Sequence, residues 1–521
     1  MQTGMKQHLL SLFLLLCLLL CLLTSCFDST DPDLPDSSDV SDADDSSDTP
    51  GGDIRLDISS IREAFVSAAD RFIEEPPQDA DGNTITTDIA PYRTLLSEKS
   101  AYNTGKLDLV SALYQYYYIG DYRSVEDAAA DIVRLLVLNF KPENLTMPED
   151  LTAALIRCYT YAVGDKYSTY FSTKDYADYS DDLSATYTGI GVQVLHREDG
   201  YLEILQVYKD TPALEKGLKE GDLIVRVEGS DVAEIGYYPT LALVRGEEGS
   251  TVNITVRRGE EEIDFCLVRA KLTEYSVDYK MLDTANKIGF IRISEFDDGT
   301  FPQFVEAYNA LKNAGAERFV FDVRSNPGGE LEAIVAVLEY ILPDGPIAHI
   351  NYKNDENDYT ITKLTDVIGT GSKKYQTIYK PVYDTLSGDH VITEPFVVLV
   401  NGYTASAGEL FSSAIRDYAD KGLVSAQLIG TKTYGKGTGQ SGIPLASSSF
   451  SLISGKYDGS YINISTFTYD PPYGENYEGT GIIPHRVVEL PESAQNKSVL
   501  KLTPEEDTQM QAALAYLLQK K

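Results

Sequence analysis

Two short stretches of this 521-residue chain carry side chains whose types and spacing could do chemistry: Ser406 in NGYTASAGELF and Lys436 in GTKTYGKGTGQ. A serine hydroxyl is a weak nucleophile near neutral pH and needs a base beside it. Histidine occurs five times in the chain and in neither stretch. A lysine can serve instead when an apolar pocket keeps its amine neutral. Gly435 and Gly437 would let the backbone come close around Lys436, and Gln440, four residues on, could hold the amine. Taken singly, each residue has a plainer reading, Ser406 as a helix cap and Lys436 as a surface lysine in a loop. Lys436 also ends a G-x-x-x-x-G-K pattern that starts at Gly430, the signature of a phosphate-cradling loop. That pattern then needs Ser or Thr, where this chain has Gly437, and a helix, where it has a polar Thr-Gly-Gln tail.

The neighbouring elements decide what these residues can do. PFVVLV (Pro395–Val400) reads as a buried parallel strand. After it, Leu410, Phe411, Ala414, Ile415 and Tyr418 have the spacing of an amphipathic helix ending near Gly422. Ser406 then stands at the helix N-terminus, where the free N–H of Ala407 and the positive end of the dipole face whatever its oxygen attacks. A second buried run, RFVFDV (Arg318–Val323), leads into Arg324-Ser325-Asn326-Pro327-Gly328-Gly329 and then a helical pattern over Leu331–Leu342. The Pro-Gly-Gly turn exposes amides that could form the other half of an oxyanion hole. Asn-Pro-Gly is also good chemistry for an ordinary strand-to-helix turn.

The three segments DVRSNPGG, NGYTASAGE and GKGTGQ, in this order, resemble the carboxy-terminal-processing (tail-specific) serine proteases. The family pattern is D-x-R-x-N-P-G-G, N-x-x-[ST]-A-S-A-x-E and G-K-G-x-x-Q. The resemblance implies Ser406 as nucleophile, Lys436 as general base and Gln440 as the residue orienting the lysine. It implies an oxyanion hole from the amide of Ala407 and one from Gly328 or Gly329. It extends to GTGIIPHRVV, where the family usually has Asp and this chain has His485.

The expected architecture is multidomain α/β. Residues 54–184 are mainly helical, with patterns over Leu107–Ile119, Val125–Leu138 and Asp150–Val163, and no chemistry is assigned to them. Residues 185–272 alternate in GVQVLHR, YLEILQVY, DLIVRVEG and TVNITVRR, a small β-rich module. TPALEKGLKEGDLI gives it the short helix and Gly-Asp turn of the family's PDZ domain. Such domains add a peptide C-terminus as a strand and hold its carboxylate on backbone amides, here expected from the loop Thr188–Val192, which includes Gly189, Ile190 and Gly191. Residues 273–521 alternate strands and helices as a layered α/β core. The resemblance makes it the crotonase-like ββα spiral, with an insertion or lid at 352–394.

At the N-terminus, Lys6 precedes an apolar core from Leu9 to Leu23, and Leu23-Thr24-Ser25-Cys26 follows. This reads as a lipoprotein signal peptide over 1–25, with Cys26 taking the lipid. A plain secretory signal or an uncleaved anchor is the simpler alternative, and every one of these readings places the body outside the cytoplasm. Residues 26–53, rich in Asp, Ser and Pro, make an acidic tether that cannot bury enough to fold. A net charge of −36 argues against nucleic-acid binding and against docking on anionic lipid. Cys158 and Cys266 are expected to be buried apolar side chains, with no metal site and no cofactor. The expected partners are protein C-terminal tails and, through Cys26, a bacterial membrane, with a homo-oligomer allowed for. The expected activity is that of an exported serine endopeptidase; the alternative is a non-catalytic envelope adaptor that binds C-termini.

Overall fold

The computed structural model describes residues 58–77, 84–172, 186–386, 392–445 and 459–520, apart from Glu198, Gly236, Glu274, Asn354, Glu356, Asp358 and Asn496. The signal segment 1–25, the tether 26–53 and Cys26 lie outside the described residues.

Helices Ile58–Glu74, Ala90–Ser97, Thr104–Tyr117, Ala129–Asn139 and Pro148–Ala162 form the first unit. Their apolar faces close over Phe65, Leu107, Val110, Ile132, Leu136 and Leu155, all excluded from water. The helix expected to begin beside Ser124 starts at Ala129. Ser124 instead accepts the Asp127 N–H in a preceding turn, a local bond that competes with helix. Ile462 and Ile464 of the long strand Tyr461–Asp470 join this same core.

In the second unit the strand order is Val192–His196, Leu202–Val207, Leu223–Val227, Thr251–Arg258 and Glu261–Val268, all antiparallel. The last strand alternates, so Leu267 points into the core while Cys266 points to solvent. The expectation of a buried Cys266 is therefore corrected; Cys158 is buried, and burial pushes its thiol up to about 12.

The third unit has a six-stranded sheet in the order Val277–Asp283, Ile288–Ile293, Arg318–Asp322, Phe396–Val400, Ala426–Gly430 and Arg486–Val487. All pairs but the first are parallel. Both faces of its central strands Arg318–Asp322 and Phe396–Val400 are covered, which is why FVF and FVVLV read as unbroken apolar runs. On one face Phe319, Phe321 and Val398 pack under helices Thr300–Asn313, Leu331–Ile341 and Ala407–Asp420. On the other, Val320, Val397 and Leu399 meet Ala513 and Leu517 of helix Thr508–Leu517.

A second sheet runs alongside. Tyr461–Asp470 is its centre, pairing with Thr438–Pro444, with Ala348–Tyr352 and with the short strand Thr169–Phe171 that leaves the helical unit. Between 352 and 394, strand Tyr359–Ile361 extends this sheet, and Tyr379 is buried in the apolar core.

Candidate active site

Two parallel strands deliver the first two motifs to one edge of the sheet. Asp322–Leu399 is the last register pair between them, so the turns that follow lie side by side. Arg324 is 2% exposed, and its guanidinium is held bidentately by Asp322 and again by Asp507. A buried guanidinium needs this full set of acceptors. Asn326, also buried, folds the turn: its Oδ1 accepts the Gly328 N–H at 2.8 Å and its carbonyl accepts the Ala405 N–H at 2.9 Å. Asn401 ties the turns together by accepting the Ser325 N–H, and Thr404 donates to the Val323 carbonyl.

Ser406 caps helix Ala407–Asp420 at φ 52°, a left-handed conformation that a non-glycine residue rarely adopts. The strain lifts its side chain out of the helix end. The Glu409 N–H bonds the Ser406 carbonyl, not the hydroxyl, and the one described hydrogen bond to Oγ comes from Tyr469 at 3.4 Å. Tyr469 makes a shorter bond, 2.8 Å, to the carbonyl of Lys436.

Gly328 has φ 115°, and a Cβ there would lie 2.7 Å from the Ser406 Cβ and 3.0 Å from the Ala407 nitrogen. Only glycine allows the turn to approach that closely. Of the two glycines expected to offer an amide, Gly328 is already bonded through its N–H to Asn326. No described hydrogen bond engages the N–H of Gly329, so of the two glycine amides it is the one left open to a new partner.

Lys436 lies just before the strand Thr438–Pro444, and Tyr469 links its carbonyl to Ser406 Oγ. Its Nζ donates to Gln440 Oε1 at 2.8 Å. A register shift between Gly439 and Gln440 swings Gln440 opposite Ser465. Burial holds the Lys436 amine below its ordinary value, while the charges of Glu478, Asp165 and Glu409 pull it the other way. No hydrogen bond between Nζ and Ser406 Oγ is among those described. A strand follows Lys436, and the amides of Gly435 and Lys436 already face a carboxylate, so the phosphate-loop pattern is not a phosphate loop.

That carboxylate is Glu409, and the sequence reading gave it no role. It is fully buried and accepts four hydrogen bonds: Ser406 N–H (3.1 Å) and Lys436 N–H (2.8 Å) on Oε2, Gly435 N–H (2.7 Å) and the Thr433 hydroxyl (2.5 Å) on Oε1. Burial pushes its carboxyl up, and these bonds pull it back. Its place in the serine motif was the available signal. His485 stands apart: its Nδ1 accepts the Leu428 N–H, so Nε2 carries the proton toward Asp420.

In the β-rich unit, strand Val192–His196 is an edge strand. The expected carboxylate loop is shorter than 188–192, because Thr188 and Gly189 pair with Lys271 and Ala270. Ile190 is buried in the core, and Gly191 takes φ 85° against Thr211. Their carbonyls accept from Ala213 and Tyr208, while no described hydrogen bond engages the N–H of either residue. Val192 opens the edge strand.

A hydroxyl at the positive end of a helix, a glycine turn packed against it and a desolvated amine are parts that acyl transfer needs. Comparison with known proteins agrees with that chemistry. Residues 287–488 match the model of peptidase family S41, and residues 188–267 match that of a PDZ domain. The chain is similar to the carboxy-terminal processing protease CtpA of Bacillus subtilis, 28% identical over 418 residues, 79% of this chain and 76% of that one. It is also similar to the carboxyl-terminal-processing protease of Picosynechococcus, 29% identical over 362 residues, 68% of this chain and 76% of that one. A putative S41 protease from Bacteroides fragilis, 17% identical, overlays on 79% of this chain and 97% of that one with a TM-score of 0.48.

Proposed function

We propose, for a chain that belongs to the carboxy-terminal-processing serine proteases of family S41 and carries a PDZ domain, that Ser406 and Lys436 form its catalytic dyad. A serine-type peptidase is an enzyme, and the adaptor reading is set aside. The observation that carries the dyad is the setting of the amine: it is buried and held by Gln440, on a loop whose backbone N–H shares the Glu409 carboxylate with the N–H of Ser406.

In this reading rotation of the lysine side chain brings the neutral amine to Oγ. Ser406 attacks the scissile carbonyl as Lys436 takes its proton, and the carbonyl oxygen gains the N–H groups of Ala407 and Gly329. The lysine then gives the proton to the leaving amine, and water activated by the same amine hydrolyses the acyl-enzyme. Gln440 keeps Nζ in line throughout. The PDZ domain offers its edge strand Val192–His196 to a polypeptide tail and the amides of Ile190 and Gly191 to the terminal carboxylate.

The enzyme works outside the cytoplasm, anchored by lipid on Cys26. The apolar run Leu9–Leu23 followed by Leu23-Thr24-Ser25-Cys26 supports this. Labelling with a fluorophosphonate tests the nucleophile: the wild type should be modified and Ser406→Ala should not. Metabolic incorporation of an alkyne fatty acid tests the anchor and should be lost in Cys26→Ala.

A further inference from the structure

The pocket around Lys436 is closed by a part of the chain that none of the three motifs includes. Between helix Pro148–Ala162 and strand Thr169–Phe171, the segment Asp165-Lys166-Tyr167 crosses from the helical unit to the sheet that carries Gln440. The ring of Tyr167 covers the amine, its centroid 4.9 Å from Lys436 Nζ. Its hydroxyl donates to Glu478 Oε1 at 3.0 Å. The other oxygen of Glu478 accepts the Gly437 N–H at 2.8 Å and the Thr438 hydroxyl at 3.2 Å. These donors keep Glu478 turned to the backbone of the lysine loop.

Asp165 reaches the same amine by another route. It is 3% exposed and accepts the Ser465 hydroxyl at 2.8 Å, the Ser465 N–H at 3.3 Å and the Tyr114 hydroxyl at 3.3 Å, with Ser168 as a further donor. Because the Ser465 hydrogen goes to Asp165, its oxygen is left to accept Gln440 Nε2, 3.5 Å away. Together with the bond from the same Nε2 to the Thr438 carbonyl at 3.3 Å, that contact sets which end of the Gln440 amide faces Lys436. Reversed, the amide would present N–H groups to an ammonium.

We propose that Tyr167 and Asp165 are positioning residues for Lys436, the ring shielding the amine from water and the carboxylate setting Gln440 through Ser465. The inference rests on the reading of Lys436 as the general base. It makes the helical unit part of the catalytic apparatus. Charges facing the amine come from Glu478, Asp165 and Glu409, and the tyrosines beside it are Tyr167 itself and Tyr469, whose hydroxyl lies on the lysine carbonyl. The carboxylates favour the ammonium, as does the face of the ring. Burial outweighs them all, so removing the cover admits water and favours the ammonium further.

The test is the second-order rate of Ser406 labelling by a fluorophosphonate against pH, on the full chain. In Tyr167→Ala the rising limb should move to higher pH. Labelling on its acid side should fall about threefold or more, and the alkaline plateau should recover to within about twofold. Tyr167→Phe keeps the cover and loses the hold on Glu478, so its limb should fall between the two. Tyr167 is only half-buried, and Tyr167→Val is the second variant should the alanine form not fold. For the relay, Ser465→Ala should slow labelling in the wild type and have no further effect in Gln440→Ala.

An unmoved limb with a lower plateau would show Tyr167 to be scaffolding, and additive losses at Ser465 and Gln440 would break the relay. Lys436→Ala separates the two levels. Labelling that persists in that variant with a wild-type limb overturns the base assignment itself. A silent Lys436→Ala together with an unmoved Tyr167→Ala limb overturns only the shielding.

Discussion

The N–H of Lys436 lies 2.8 Å from Oε2 of Glu409, so the loop that carries the amine is bolted to the helix that begins at Ser406. The same oxygen takes the Ser406 N–H at 3.1 Å. Serine and lysine are thus brought into register by backbone, before any contact between their side chains.

Glu409→Gln puts an NH₂ group where one of these oxygens stood. If it replaces Oε2, two buried amides face a donor, each costing about 1–3 kcal/mol. The expected outcome is a lower melting temperature and a fall in peptide hydrolysis on the order of 100-fold, because a small misplacement of reacting groups is enough for that. Thr433→Val removes one of the four donors and should be milder in both measurements. Wild-type turnover in Glu409→Gln would show that the serine and lysine segments hold their places without it.

Ser406→Ala and Lys436→Ala should each abolish hydrolysis of a casein substrate while melting close to the wild type. Residues that act as a unit are not additive, so the double variant should be little worse than either single one. Substantial turnover in Lys436→Ala would mean that another group takes the proton.

The pH profile follows from the lysine. An exposed lysine titrates at about 10.4, and burial holds Lys436 below its ordinary value. With Lys436 as the proposed base the neutral amine is the active form, so kcat/KM should rise with pH and level off earlier than an exposed lysine would allow. Replacing His349 and His485, which lie among the described residues, should leave that limb in place. A limb that disappears with either histidine would refute the lysine as base.

Tail reading can be measured with paired substrates. Peptides ending in a free acid should be cut faster than the same peptides ending in an amide, because a carboxylate strengthens the bonds to the amides of Ile190 and Gly191. Gly191→Ala places a Cβ 2.3 Å from Thr211 at φ 85°, so it should lower the melting temperature and erase the difference. Equal rates for both substrates in the wild type would leave the edge strand as a groove without end recognition.

The layered α/β core and the β-rich module were legible because some of their strands are apolar throughout, as in Phe396–Val400, and others alternate over most of their length, as in Thr251–Arg258. The position of Ser406 at a helix start was legible from the same periodicity. What did not show was contact across long separations. Asp165 and Ser465 are 300 residues apart, and nothing local to GDKY marks its aspartate and tyrosine as neighbours of a lysine. Gly328 and Gly329 could not be told apart either, since the choice turns on which amide Asn326 engages. Cys266 faces solvent because of strand register, which a five-residue window cannot fix.

Arg324 is closed on one side by Asp322, two residues before it, and on the other by Asp507, 183 residues later, with Gln509 beside it. A ribosome that has just delivered Ser406 and Lys436 has not yet made either of the later partners. Until they arrive, the guanidinium beside the Asn326 turn lacks half its acceptors. Closure of the Arg324 site around the Asn326 turn therefore depends on a segment synthesised after both Ser406 and Lys436.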